Sequence, residues 1–437
     1  MGKSIFHRNV SGLGMDNNET KRLNGLIKHF EKGRFAELIP LCEEFVKTHP
    51  ANAIGWNLLA LSHKNLGNIE KARTLFEKLL QNDPNHPVLL SNLGNVYRSI
   101  GRLQDSVTCY KKAIKKDPNM FNAIEALGMS YTDLGDLEKA LSCYKRNTEL
   151  DKTHQLARYN VANTYRKLQR YEEAVEEFEL TDYKNGESHQ LECLYLLGDE
   201  KRFKEKYLKI ENSGKLDSLI GCLGSHAAIR YQTPFKNPFC SNAMDYVLVD
   251  KITAEDGLTQ ELMDKIIEHH KGNLNDYLSQ PLLKNGKQSS GNLFLLEYDF
   301  IKALEQILIV KVEAYRKIFQ TNDEGFIKNW PDKYFLYGWL VSIENGGNLD
   351  PHIHKEGWVS GSLYFNVPKK DGSDDGNIAV SLHGANYPKD NKDYPGKVVE
   401  INKRDLCMFP SSLFHYTIPF ESEEERISFA FDVMPTQ

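Results

Sequence analysis

Glycine recurs every 34 residues in the first half of the chain, at Gly33, Gly67, Gly101 and Gly135, and Pro50, Pro84 and Pro118 keep the same step. A fixed period of that length marks a stacked helical repeat. Aligned on these positions, small residues fill one column (Ala60, Gly94, Gly128, Ala162) and a second (Ala72, Ser106, Ala140, Ala174). Large rings fill two more, His63, Tyr97, Tyr131 and Tyr165 in one and Phe76, Tyr110, Tyr144 and Phe178 in the other. Small against large at helical spacing predicts pairs of closely packed helices that share a core with their neighbours. The glycines end the first helix of each pair in a left-handed cap, and Asp-Pro at 83–84 and 117–118 ends the second.

This pattern resembles the tetratricopeptide repeat over about residues 19–182, most clearly between 53 and 182, with a degenerate first unit that carries Leu26 and Leu38 in the small columns. The resemblance implies a groove that holds a protein or peptide. Asn92, Asn95, Asn160 and Asn163 lie on first helices, where they either clamp a peptide backbone or are simply solvated. Residues 1–18 are expected to be disordered. Beyond 182 the register fades, although LECLYLLGDEKRFKEKYLKI keeps a helical pattern, so 183–236 reads as a helical cap and linker. NPFCSNA, from Asn237, opens a turn-rich domain that runs to 437.

After helices expected near 258–271 and 298–320, the sequence turns to short β-rich runs: YFLYGWLVSI, WVSGSLYFNV, NIAVSL, KVVEI, DLCMFP and RISFAFDV. Such runs between Gly, Pro, Asp and Asn clusters predict a double-sheet jelly roll. The fold class expected is therefore an all-α solenoid followed by an α+β double-stranded β-helix. On an extended strand, His352 and His354 point to one side, and His415 lies 61 residues further on. Three neutral imidazoles suit a divalent metal such as iron. Arg426 and Ser428 share a strand face eleven residues past His415, where a guanidinium can grip a carboxylate in two places.

H-x-H, some sixty residues, a lone His and then R-x-S resemble the Fe(II)/2-oxoglutarate-dependent dioxygenases. GWLVSIENGG, PHIHKEGWVSGSLYFNVP and DLCMFPSSLFHYTIPF are similar to a prolyl-hydroxylase-like branch found attached to tetratricopeptide repeats, over about 237–437. The resemblance implies Fe(II), 2-oxoglutarate and O2, with ascorbate as an accessory reductant, and hydroxylation as the outcome. It also implies that the far carboxylate of 2-oxoglutarate meets Arg426 and Ser428. The family's usual H-x-D is H-x-H here, which leaves two ligand sets open: His352, His354 and His415, or a fallback in which Glu356 is the second ligand. Trp339, Ser342, Trp358, Ser360 and Tyr364 are candidates for the pocket wall, though most such residues are core. His63 and His383 have no partners at usable spacing and receive no role.

Composition narrows this picture. A formal net charge of −5 gives no broad basic field for nucleic acid. No apolar run approaches the roughly 20 residues of a membrane span, and no charged-then-apolar leader is legible, so a cytoplasmic protein is expected. MGKSIF has Phe6 where a myristoylation signal wants Ser or Thr. Seven scattered cysteines without C-x-x-C spacing read as reduced thiols. Two rivals to a hydroxylase remain at this level: a repeat adaptor with a degenerate jelly roll, and a three-histidine dioxygenase that needs no 2-oxo acid, against which Arg426 speaks.

Overall fold

The computed structural model describes residues 17–272, 277–278, 280–369 and 374–436. Of the segment expected to be disordered, residues 1–16 lie outside that range, and Asn17 already begins a helix, Asn17–Glu31. The chain divides into two compact units, Met1–Gly186 and Glu187–Gln437. No described helix is long and apolar enough to cross a membrane.

The first unit is an all-α solenoid of tetratricopeptide type. Its first helices, Ala53–Asn65, Pro87–Ser99, Phe121–Asp133 and Gln155–Lys167, alternate with second helices Ile69–Asn82, Leu103–Lys116, Leu137–Leu150 and Tyr171–Glu179. The period-setting glycines have φ between 70° and 79°, the left-handed cap that a side chain resists. Asp83 and Asp117, each before a proline, are extended at the ends of their helices. Within the array the small and large columns are matched in pairs. Gly94 and Gly128 face Tyr110 and Tyr144 so closely that a Cβ would stand 2.7 Å from each ring. The equivalent positions Ala60 and Ala162 belong to repeats whose ring is Phe76 or Phe178, without a hydroxyl. In the two glycine repeats the ring hydroxyls have partners: Tyr110 donates to Asn95 Oδ1 at 2.7 Å and Tyr144 lies 3.3 Å from Thr132 Oγ1, which ties each ring over the helix it crosses.

The second unit opens with three helices, Gly186–Leu197, Glu200–Ser213 and Ser218–Arg230. The stretch expected as a cap and linker thus belongs largely to the compact unit that follows it. Among the described residues ten strands follow: β1 (Leu248–Lys251), β2 (Tyr277–Leu278), β3 (Leu283–Ser289), β4 (Tyr334–Leu349), β5 (Val359–Asn366), β6 (Ile378–Ser381), β7 (Gly396–Val399), β8 (Asp405–Pro410), β9 (Phe414–Thr417) and β10 (Arg426–Pro435). They form a large sheet of order β1-β8-β5-β10-β4-β3-β2 and a small one of order β7-β6-β9, with His352 bridged to His415 on β9. This order, with strands crossing from sheet to sheet, is a jelly roll.

Strand alternation sorts the chemistry from the core. On β10 the odd residues Ile427, Phe429, Phe431 and Val433 enter a core shared with the helices Gln260–Gly272 and Asp299–Phe319. The latter presents Ile301, Leu304, Leu308, Val312 and Tyr315 at helical spacing. The even residues Arg426, Ser428, Ala430, Asp432 and Met434 face a cavity on the opposite side.

The ring pairing yields a test. Gly128→Ala should cost about 1–3 kcal/mol by overpacking, read as a lower midpoint of thermal unfolding. Adding Tyr144→Phe, which releases the ring from Thr132, should restore most of it. Equal melting of wild type and the single variant would refute the matched-pair account.

Candidate metal centre

The two histidines of the H-x-H segment sit on the crossing between the sheets. Backbone amides exchange hydrogen bonds across the bridge, His352 N to His415 O at 3.1 Å and His415 N to His352 O at 3.0 Å, so two histidines separated widely in sequence are fixed by main chain alone. His352 Nδ1 meets the Asp350 carbonyl at 2.8 Å and His415 Nδ1 the Leu413 carbonyl at 3.3 Å. His354 Nδ1 meets Asp432 Oδ1 at 2.6 Å. Carbonyl and carboxylate oxygens only accept, so each ring carries its proton on Nδ1 and turns a bare Nε2 lone pair inward. One ligand atom from each of the three rings lies within 4.8 Å of the others, and His352 Nε2 stands 3.2 Å from His354 Nε2. Two lone pairs so close repel unless a cation lies between them, and with metal–nitrogen bonds of about 2.0–2.1 Å adjacent ligands are roughly 3 Å apart.

Electrostatics keep the rings ready. Burial, then the neighbouring His354, lowers the His352 pKa to about 4, and burial together with both other imidazoles holds His415 well below the ordinary range. Neutral imidazole is the form that binds metal.

The three rings open on a cavity of about 570 Å³ between the sheets. Arg426 lies in its wall, only 3% exposed, with its guanidinium 4.8 Å from the Tyr364 ring centre and Nε donating to the Gly376 carbonyl at 2.9 Å. Burial lowers its pKa. Among the described residues no carboxylate pairs with it, and a buried cation without a counter-ion is costly. Ser428 lines the same wall.

Of the other residues singled out in the sequence, Trp339, Ser360 and Tyr364 line the cavity. Ser342 does not, because β4 turns Tyr337, Trp339, Val341 and Ile343 inward and the residue between them to the other face. Trp358 does not either; its Nε1 donates to the Phe326 carbonyl at 2.8 Å and its ring packs on Phe239. Glu356 is exposed at the cavity rim and outside the histidine cluster. His383 finds a partner that spacing did not suggest, His226, with 3.0 Å between Nδ1 and Nε2. In the first unit the four asparagines are half-buried and engaged: Asn92 with Asn57, Asn95 with Tyr110, Asn160 with Glu125 and Asn163 with Arg166. The seven cysteines are free thiols.

Residues that sequence reasoning missed stand behind the rings. Asp432 holds His354, and its signal was legible, since it continues the Arg426, Ser428 alternation along β10. Ser218 donates to the His354 carbonyl at 2.9 Å. Glu192, 2% exposed, receives Lys355 Nζ at 2.6 and 2.8 Å and the Tyr387 hydroxyl at 2.9 Å. No local pattern announces either, because 136 and 163 residues separate the partners.

Comparison with known families follows these boundaries. Residues 338–432, which contain His352, His354, His415, Arg426, Ser428 and Asp432, match the family described as "Putative 2OG-Fe(II) oxygenase". Residues 20–159 match the N-terminal tetratricopeptide region of Psidin, and 157–180 a tetratricopeptide repeat. The chain joins tetratricopeptide repeats to a 2-oxoglutarate/Fe(II) oxygenase-family domain. Solved structures similar to it include PilF of Pseudomonas aeruginosa, with 13% identity over 45% of this chain and 91% of that one and a TM-score of 0.39. The type IV pilus biogenesis factor PilW shows 15% identity over 47% and 98%, TM-score 0.41, and MamA 21% over 38% and 94%, TM-score 0.34. No curated protein matches the chain significantly.

The depressed histidines give the oxygenase-family domain a pH signature. As pH falls through 6.5 the unfolded chain takes up a proton that His352, held at about 4, refuses. His226 at about 3 and His270 at about 4 act in the same sense. Stability of the metal-free protein therefore rises with pH across this window and is lost as pH falls from 6.5 toward 4. Chelator-treated protein should melt progressively lower over that range, and His352→Asn should flatten the dependence; an unchanged slope in the variant contradicts the assignment.

Proposed function

We propose that the C-terminal domain is an Fe(II)- and 2-oxoglutarate-dependent hydroxylase whose repeats recruit a protein or peptide substrate. The observation that carries this reading is one cavity holding both three convergent imidazole nitrogens and a buried guanidinium that no carboxylate pairs with among the described residues. His352, His354 and His415 would hold the metal, in preference to a set that includes the exposed Glu356. Bound Fe(II) would supply the redox chemistry that couples O2 and the loss of CO2 from 2-oxoglutarate to hydroxylation of a substrate C–H bond, leaving succinate.

The chain's own part is placement. Arg426 offers a planar fork to the far carboxylate of the 2-oxo acid, in a setting dry enough for that pairing to be strong, and Ser428 adds a hydroxyl on the same face. Tyr364 lies under the guanidinium and limits its movement. Trp339, whose ring is 5.3 Å from that of His354, and Tyr337, 5.9 Å from Trp339, wall the approach, so a substrate would meet aromatic surface next to the metal. Ascorbate would serve only as a reductant in turnover. The repeats match families of protein-binding helical arrays, and the polar row on their first helices is where an extended peptide would lie. The cytoplasm, where thiols stay reduced, suits seven free cysteines.

Two variants separate the parts. His415→Ala should abolish Fe(II) binding and Fe(II)-dependent succinate formation. Arg426→Met should leave metal binding near wild type and weaken 2-oxoglutarate roughly 10- to 100-fold, the worth of a charged hydrogen bond of about 1.5–3 kcal/mol. Calorimetry reads both. Turnover that survives Arg426→Met would favour a three-histidine dioxygenase without a 2-oxo acid, and wild type that binds neither metal nor 2-oxoglutarate would reduce the domain to an adaptor.

A further inference from the structure

A ligand set of three imidazoles brings no charge to the ion it holds. Among the described residues, the charged ones that line the cavity are Lys355, Glu356, Arg426 and Asp432, besides the histidines. Lys355 is neutralised by Glu192, and Glu356 is exposed. Among the described residues that line it, the interior therefore contains one buried cation, Arg426, and one buried carboxylate, Asp432. A divalent ion would raise the sum to +2, which a dianionic 2-oxo acid then cancels. Without Asp432 the filled site would stay at +1, in surroundings where an uncompensated charge is expensive.

The carboxylate is seated with care. Asp432 Oδ1 accepts from His354 Nδ1 at 2.6 Å and from Ser360 Oγ at 2.7 Å, and Ser360 Oγ lies 2.8 Å from Ser411 Oγ. β10 and β5 pair Asp432 directly opposite Ser360. Gly357 closes the seat: a Cβ there would stand 2.7 Å from Ser411 Oγ and 3.1 Å from Asp432 Cγ and Oδ1. The other two rings lean on neutral carbonyls, so His354 alone has a charged partner. A carboxylate on the outer nitrogen makes an imidazole a stronger ligand.

We infer that Asp432 supplies, through the His354 ring, the single negative charge that this centre's three neutral ligands lack, and so sets its affinity for a divalent cation. The inference rests on the metal-site reading above and assigns Asp432 a tuning and positioning role one shell outside the ion. A bland alternative is a carboxylate that merely ties β10 to β5.

The test uses the full chain, stripped of metal, and Co(II) as the probe, with affinity from calorimetry and geometry from the visible spectrum. Asp432→Asn keeps the shape and an oxygen that accepts from His354 but loses the charge. It should weaken Co(II) roughly 10- to 100-fold, with metal-free melting little changed. Asp432→Asn that binds within twofold of wild type overturns the inference, and so does a loss seen only in Asp432→Ala, which would leave orientation without charge as the role. If Asp432→Asn does not fold, Gly357→Ala, which crowds the carboxylate and keeps the backbone N–H that Gly357 donates to the His354 carbonyl, should weaken Co(II) at least fivefold, and unchanged affinity refutes the idea. Wild type that fails to bind Co(II) refutes the metal reading itself, a result distinct from either of these because the baseline is then missing.

Discussion

The pair of main-chain hydrogen bonds between His352 and His415 is what the second unit is arranged around. It joins the segment leaving β4 to β9, and it is the point at which the small sheet closes against the crossing from the large one. Because the bonds are backbone to backbone, the distance between the two imidazoles follows from strand geometry and not from side-chain packing. His354 is the exception. It lies past the bridge, in a segment without a strand partner, and its position depends on side chains: Asp432 on its ring and Ser218 on its carbonyl.

That difference explains why helices preceding the jelly roll are bound into it. In the Glu192–Lys355 pair the carboxylate is buried while the lysine side chain is 30% exposed, and such a pair contributes little net stability because desolvation of the carboxylate offsets the attraction. Its worth lies in geometry, since it fixes the residue after His354 to a helix that is itself anchored. Tyr387 completes the carboxylate's hydrogen bonding from a loop beyond β6. Four separate stretches of chain thus converge behind the H-x-H segment, while in front of it the cavity wall is built of β10, β5 and β4 residues at every second position.

The periodic parts of this architecture were legible in the sequence. The 34-residue step located the helices and their glycine caps, and short β-rich runs between turn residues located β4, β5, β6, β7, β8 and β10, because both patterns are consequences of backbone geometry that each residue reports locally. The three histidines and Arg426 were legible for the same reason. Ser342 and Trp358 show the limit of reading side-chain type without strand phase: Ser342 is on the wrong parity of β4, and Trp358 precedes β5 and turns into the core. β1, β2 and β3 carried too weak an alternation to be noticed, and β9 is so short that its only strong signal was its histidine. Glu192 and Ser218 were illegible because nothing local marks a contact across more than a hundred residues.

The intimate packing of Gly186–Arg230 on the rest of its unit also fixes where the chain can be divided. Asn237, which opens the turn-rich segment, donates to the Gly221 carbonyl at 2.8 Å, and a Cβ on Gly221 would meet the Phe239 side chain at 2.8 Å. A fragment cut at 237 would strip away those partners together with Glu192 and Ser218. The compact unit that carries the histidine cluster starts at Glu187, so excision of this oxygenase-family domain has to follow that unit and not the visible change in sequence character.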